Sequence, residues 1–182
     1  LHLPWCTQKC PYCDFNSHEG FTPDLQGPYV TALLQDFDSQ LQGIEGRIVE
    51  SIFIGGGTPS LFSGEWIQRL LSELAKRIPF APAAEITLES NPGSAERGRY
   101  QSYVEAGVTR LSIGVQSFND DALRRLGRIH SGDDARQALH LASTTGFNNW
   151  NIDLMHGLPE QTAETAAADL SEALALSAGH IS

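Results

Sequence analysis

Cysteine is scarce in this chain and oddly placed. Of 182 residues only three are Cys, all inside "CTQKCPYC" at 6–13, in the spacing C-x3-C-x2-C. An odd number crowded so closely makes a poor disulfide framework, which would leave one thiol over. Three free thiols point to a reducing setting, the cytosol. Basic residues are also short: 12 Lys and Arg stand against 22 Asp and Glu, for a net charge of −10. That balance argues against a general nucleic-acid binder, which needs a basic footprint, and disfavours docking on an anionic membrane. It leaves room for a small anionic ligand held by a few local arginines. Long hydrophobic runs are missing; none approaches the roughly 20 residues of a membrane span. There is no repeat of fixed period, no low-complexity tract and no signal-peptide pattern at the start. The chain opens on "LHLPW" without a starting Met and closes on "HIS" after Gly179. Both ends read as those of a fragment of a longer protein.

What is present is enough for a sizeable core, since 41% of residues are hydrophobic. Short apolar runs alternate with helical patterns. The runs are Leu1–Trp5, "SIFI" 51–54, "EITLE" 85–89, "RLSIGVQ" 110–116 and "NWNIDLM" 149–155. Between them Val30, Leu33, Leu34, Phe37 and Leu41 form one helical stripe, and Ile67, Leu70, Leu71, Leu74 and Ile78 another. Ser63, Ser94, Asn119, Ser131 and Thr162 are placed as N-caps. Gly107, Gly127, Gly146 and Gly179 stand where C-terminal glycines belong. The β-α-β-α rhythm predicts parallel strands with crossover helices, a partial TIM-like (β/α)6 barrel truncated at about its sixth strand.

The strands carry a second pattern. Ile86 and Leu88 oppose Thr87 and Glu89; Leu111, Ile113 and Val115 oppose Ser112, Gly114 and Gln116; Ile152 and Leu154 oppose Asn151, Asp153 and Met155. A barrel packed only for stability fills its interior with Val, Ile and Leu. Small, polar interior faces predict space for a hydrophilic ligand. A half-solvated antiparallel sheet alternates in the same way, but the intervening helices weigh against it.

Soft thiolates at close spacing select zinc or an iron–sulfur cluster. Zinc would need a fourth ligand, and His18 is available for a Cys3His site. A four-iron cluster normally takes four Cys, so three would leave one iron open to a substrate or cofactor. The loop also follows the first strand, where barrel chemistry gathers.

"CTQKCPYC" resembles the cluster loop of the radical S-adenosylmethionine (SAM) proteins. "GGGTPS" 55–60, "LESNPG" 88–93, "GVTRLSIGVQSFND" 107–120, "LGRIHS" 126–131 and "NIDLMHGLPEQT" 151–162 extend the likeness. Together they resemble the oxygen-independent coproporphyrinogen III oxidase family over nearly the whole chain. The family's oxidase branch has a further Cys two residues after the third; here that residue is Phe15. In this the chain is similar to the haem-chaperone branch, whose members keep the cluster and SAM site but are described as binding haem and handing it on.

The resemblance implies a radical SAM core domain over 1–182, incomplete at both ends, with the family's C-terminal domain absent. It implies a [4Fe–4S] cluster on Cys6, Cys10 and Cys13, with SAM on the free iron and an electron from a donor protein to break its sulfonium bond. It places Tyr12 near the adenine, and Gly56, Gly57 and Thr58 near the methionine end. Glu89, Gln116 and Asp153 would meet ribose hydroxyls and the methionine amine, and Arg128 the SAM carboxylate. It implies haem or porphyrin, bound by the full-length protein, and haem-accepting partners. For Glu89 and Asp153 the alternative is an internal salt bridge with an arginine; for Arg128, surface solvation; for Tyr12, packing over the loop. None of His2, His18, His130, His140, His156 and His180 is singled out as a haem ligand, and Met155, the only Met, is read as a packing residue. The thiol assignment predicts that Cys10→Ala loses the cluster. After anaerobic reconstitution the variant should stay colourless with less than half the wild-type iron; a full brown cluster there refutes the ligand set.

Overall fold

The computed structural model describes residues 1–93, 97–176 and 178–182. Six strands run parallel and pair in chain order: β1 (His2–Leu3), β2 (Val49–Gly56), β3 (Phe80–Ser90), β4 (Arg110–Gln116), β5 (Asn149–Leu154) and β6 (His180–Ile181). The helices between them are α1 (Gln26–Gln40), α2 (Gly64–Ala75), α3 (Tyr100–Glu105), α4 (Asp120–Arg125), α5 (Gly132–Thr145) and α6 (Ala163–Ala175). The sheet is open, an incomplete barrel wall rather than a closed one.

The apolar faces do what their alternation predicts. Ile54, Leu88, Leu111, Ile113, Val115 and Ile152 are fully buried against the helices. The α1 stripe contributes Val30 and Leu34, with Leu33 and Phe37 packed on the same core. Ile67, Leu70, Leu71 and Leu74 of α2 are buried beside them. Burying such side chains contributes about 1.5–3 kcal/mol each, which is why crossover helices in this order close over the sheet.

Several boundaries differ from the sequence reading. The first strand is two residues long, not five; Pro4 follows it with its carbonyl turned away from β2 to the His18 N–H, and Trp5 makes only an isolated bridge to His18. The third strand is longer, running back to Phe80 along β2. Two helices, α4 and α5, fill the β4–β5 crossover. Side chains of Ser63, Asn119, Ser131 and Thr162 cap their helices, whereas Ser94 lies outside the described residues. Gly107, Gly127 and Gly146 adopt φ of 98°, 72° and 103°. Gly179 does not terminate a helix: α6 ends at Ala175, and Gly179 lies so close to Asn149 that a Cβ would meet its side chain.

An aromatic cluster fixes the first loop. Trp5 packs edge-on against Tyr29 with ring centroids 4.6 Å apart, and Phe21 and Phe62 complete the group. The Tyr29 hydroxyl donates to the His2 carbonyl at 2.9 Å, tying α1 to β1. No helix among the described residues is long and apolar enough to cross a membrane.

Because the strands are parallel, their C-terminal ends and the loops that follow share one rim, the functional end of such sheets. Ser131 deserves a test as the start of α5. Its side chain accepts from the Asp134 N–H while Asp134 accepts from the Ser131 N–H. Ser131→Ala should lose about 1 kcal/mol of stability, read as a lower denaturation midpoint with an unchanged m-value.

Candidate functional site

A cavity of about 580 Å³ opens at this rim, within the range of small-molecule sites. Cys6, Cys10, Cys13, Tyr12 and Phe15 line it from the loop after β1, and Gly57 and Thr58 from the turn after β2. Glu89, Ser90 and Asn91 come from the end of β3, Gln116 and Asp153 from the ends of β4 and β5, and Arg128 from the segment after α4. Gly56 is the one predicted position that does not line it. Its N–H instead donates to the Glu89 carboxylate at 3.0 Å.

The cysteine loop is held by its backbone. The Cys6 N–H donates to the His18 carbonyl at 2.9 Å, and the His18 N–H to the Pro4 carbonyl at 2.7 Å. Lys9 ties the returning strand of the loop through the carbonyls of Phe15 and Ser17, at 3.1 and 3.3 Å. The glycine turn is pinned to the same loop: the Gly57 N–H meets the Leu3 carbonyl at 2.9 Å and the Thr58 N–H the Trp5 carbonyl at 2.7 Å. A Cβ on Gly57 would stand 2.6 Å from the Trp5 carbonyl oxygen. Glycine is therefore required there for the approach of two backbone segments, whatever ligand sits above them.

All three cysteines are free thiols. Among the described residues no three His, Cys, Asp or Glu groups converge on a point where one metal ion could sit. The Cys3His alternative thus has no counterpart in the geometry: His18 is exposed, and it is its carbonyl, not its ring, that bonds the cysteine loop. A cubane makes a different demand, since each thiolate ligates its own iron. Three soft donors that line one cavity without converging on a single ion fit it.

The cavity's charges are unusually exposed to one another. Burial raises the Glu89 carboxyl above its ordinary range, only partly opposed by the Gly56 N–H, and Asp153 pushes it further up. Burial also raises Asp153, against the hydrogen bonds it accepts from Ser112 Oγ at 3.0 Å and Asn151 Nδ2 at 2.6 Å. Arg110 and His180 lower Asp153, and His2 lowers Glu89, but neither carboxylate forms an ion pair among the described residues. Arg128 is not solvated on the surface. Its Nη2 donates to Asn91 Oδ1 at 2.6 Å and the Gly114 carbonyl at 2.8 Å, and Nη1 approaches Cys10 Sγ at 3.7 Å. No carboxylate among the described residues pairs with it. Tyr12 is 40% exposed, and burial of its other face lifts its hydroxyl above the usual phenol range. Two carboxylates and a guanidinium that form no close ion pair among the described residues suit a ligand that carries both charges and hydroxyls. An amino-acid nucleoside is such a ligand.

Sequence reasoning passed over Asn91, although it stands inside the quoted "LESNPG". Its amide bridges the turn and the arginine, donating to Thr58 Oγ1 at 3.0 Å. Periodicity gives no hint of it, because it lies one residue beyond β3. Ser112 and Asn151 sit on the polar faces already noted and buttress Asp153. Arg110 lines the cavity from β4 and reaches Glu85 at 3.7 Å. Met155 is half-buried outside the cavity, its N–H on the Gln116 carbonyl. His140 is exposed on α5 and His130 buried. Burial, with Arg128 nearby, lowers His130 to about 4.

Residues 1–173 match the family model described as the radical SAM superfamily. The chain is 54% identical to a protein of Haemophilus influenzae named Heme chaperone HemW, covering all of this chain and 49% of that protein. It is 52% identical to the Escherichia coli protein of the same name, covering 48% of it. The chain thus spans about half the length of these curated relatives. Among solved structures it resembles coproporphyrinogen III oxidase (HemN) of Escherichia coli, with a TM-score of 0.87 and 31% identity over 99% of this chain and 42% of that one.

The raised Glu89 carboxyl yields a signed expectation. Its charged form is disfavoured in the folded state, so its penalty is absent below the ordinary carboxylate range and present above the raised value. Glu89→Gln should therefore melt above wild type at pH 7.5 in the ligand-free protein, the difference shrinking toward pH 4.5. Equal melting temperatures at both pH values would contradict the burial penalty.

Proposed function

The chain belongs to the radical SAM superfamily, and from that premise we propose that it is the cofactor-binding core of a haem chaperone. In this reading Cys6, Cys10 and Cys13 hold a [4Fe–4S] cluster and SAM lies beside it, as family membership implies. The full-length protein binds haem and passes it to acceptor proteins. One observation carries the site: three free thiols, Glu89, Asp153 and Arg128 line one cavity, and none of the three charged groups forms an ion pair among the described residues. When bound, the cluster supplies one electron at low potential for reductive cleavage of the SAM sulfonium bond.

The chain's own residues do the positioning. Arg128, fixed by Asn91 and the Gly114 carbonyl, presents its remaining donors to the SAM carboxylate. Glu89 and Asp153 would receive the ammonium and ribose hydroxyls, and those cationic and hydroxyl partners would relieve the desolvation that raises both. Tyr12 would cover the adenine, and Gly57 and Thr58 would flank the methionine, with Gly56 acting through its N–H on the Glu89 carboxylate. Phe15 offers an exposed ring at the cavity mouth in place of a thiol. The free thiols fit a reducing compartment, the cytoplasm, and an electron donor is a further required partner.

The haem role rests on the 52–54% identity to proteins named Heme chaperone HemW. The TM-score of 0.87 to a coproporphyrinogen III oxidase favours a second reading, oxidative decarboxylation of porphyrinogen side chains. Haem titration of the full-length protein beside a porphyrinogen turnover assay separates the two: stoichiometric haem binding without turnover is expected, and turnover without haem binding reverses the order. Within the site, Asp153→Asn should weaken binding of S-adenosylhomocysteine about tenfold while iron content stays at the wild-type level. Unchanged affinity removes Asp153 from the site.

A further inference from the structure

Gln116 is strained. It is the last residue of β4 and carries a φ of 68°, in the left-handed region that a long side chain seldom occupies. The Ser117 N–H donates to the Val115 carbonyl at 2.9 Å, across Gln116 alone. A bond spanning one residue with positive φ at its centre is the rare, strained form of the γ-turn. The ladder to β5 shifts register at the same point, between Gly114 and Gln116. Strain of this kind persists only where its surroundings over-determine it.

The surroundings do. The Val115 carbonyl accepts a second bond, from His130 Nε2 at 3.0 Å. A carbonyl can only accept, so this nitrogen carries the proton and the ring is the Nε2–H tautomer. His130 is 6% exposed, in surroundings that keep the ring neutral. On the other side of the turn, the buried Asp169 of α6 accepts from Ser117 Oγ at 2.7 Å and from the Phe118 N–H at 2.8 Å. The Met155 N–H takes the Gln116 carbonyl at 2.9 Å. The consequence lies in the cavity. The Gln116 side chain folds back over Gly114, where its Nε2 would stand 3.0 Å from an added Cβ, with Asn91 Oδ1 at 3.4 Å and Arg128 Nη2 at 3.5 Å from the same point. Three polar ends meet above a residue that has no side chain.

We infer that His130 and Asp169 are positioning residues: they hold the β4 turn in its strained form so that the Gln116 carboxamide stays beside Arg128 and Asn91 for the amino-acid nucleoside. Neither residue lines the large cavity, and each acts through the backbone of Val115–Phe118. This rests on the cavity binding SAM. An extended Gln116 would keep its side chain on the face of Ser112 and Gly114 but would project it along the strand instead of folding it back over Gly114, taking the carboxamide from beside Arg128 and Asn91.

The test uses the full-length protein reconstituted anaerobically with iron and sulfide. S-adenosylhomocysteine affinity is read by calorimetry and stability by thermal melting. Gln116→Gly should melt at or above the wild-type temperature, since glycine accepts positive φ freely, yet bind the probe about tenfold more weakly. His130→Leu and Asp169→Ala should each lower affinity several-fold, and His130→Gln, which keeps an N–H donor, should retain most of it. The deciding measurement is the double variant. In the Gln116→Gly background, His130→Leu and Asp169→Ala should cost no further affinity, because the group they position is gone. The same several-fold loss in both backgrounds overturns the inference, as does wild-type affinity in Gln116→Gly. Should His130→Leu fail to fold, the Asp169 pair alone decides. If wild type itself does not bind the probe, the reading of the cavity fails and this inference with it; normal wild-type binding with additive losses defeats only the positioning role.

Discussion

The contact on which the site depends is between two stretches of backbone. β1 is two residues long, and a strand so short cannot hold a loop in place by pairing alone. Its extension is the glycine turn after β2, whose N–H groups at Gly57 and Thr58 take the carbonyls of Leu3 and Trp5. That approach leaves no space for a Cβ at Gly57. Beneath it, the Trp5, Tyr29, Phe21 and Phe62 rings fill the space against α1. The thiols are therefore carried on a loop that is irregular in conformation yet fixed at its base, and they face the same cavity as the strand ends.

Around that base the protein stores unfavourable energy. Glu89 and Asp153 are half-buried with no ion pair among the described residues, Arg128 is held among neutral acceptors, and Gln116 bends against its preferred backbone conformation. Structural packing gains nothing from any of these. Each becomes intelligible when the cavity is a place where charge and hydroxyls arrive from outside: desolvation raises the carboxyls until a cationic partner relieves them, and the guanidinium keeps donors in reserve. The helices cover the other face with aliphatic side chains at full burial, and that apolar packing is what tolerates the cost at the rim.

Much of this was legible in the residues. Apolar alternation on three strands located the core, the polar residues between them located the cavity wall, and C-x3-C-x2-C located the soft donors. Helix caps at Ser63, Asn119, Ser131 and Thr162 were readable because a cap is a local device, decided by a side chain and a backbone three residues away. Boundaries failed where a neighbour outweighed local pattern: β1 is only two residues long, and Gly179 packs against the Asn149 side chain rather than ending a helix. Asn91, His130 and Asp169 carried no signal of period or spacing, since what gives them meaning is contact with residues 15 to 52 positions away.

The sequence by itself determined the order of strands and helices, the face of each strand that turns inward, and the chemical kind of the donors. Those follow from local geometry: a period of two along a strand, of 3.6 along a helix, and the softness of sulfur. Only the tertiary structure decided that Arg128 would lack a carboxylate partner among the described residues, that Glu89 and Asp153 would share one desolvated cavity, and that Gln116 would be bent into it. Partnership and strain depend on which residues of distant segments come to share a few ångströms, and no local rule contains that information.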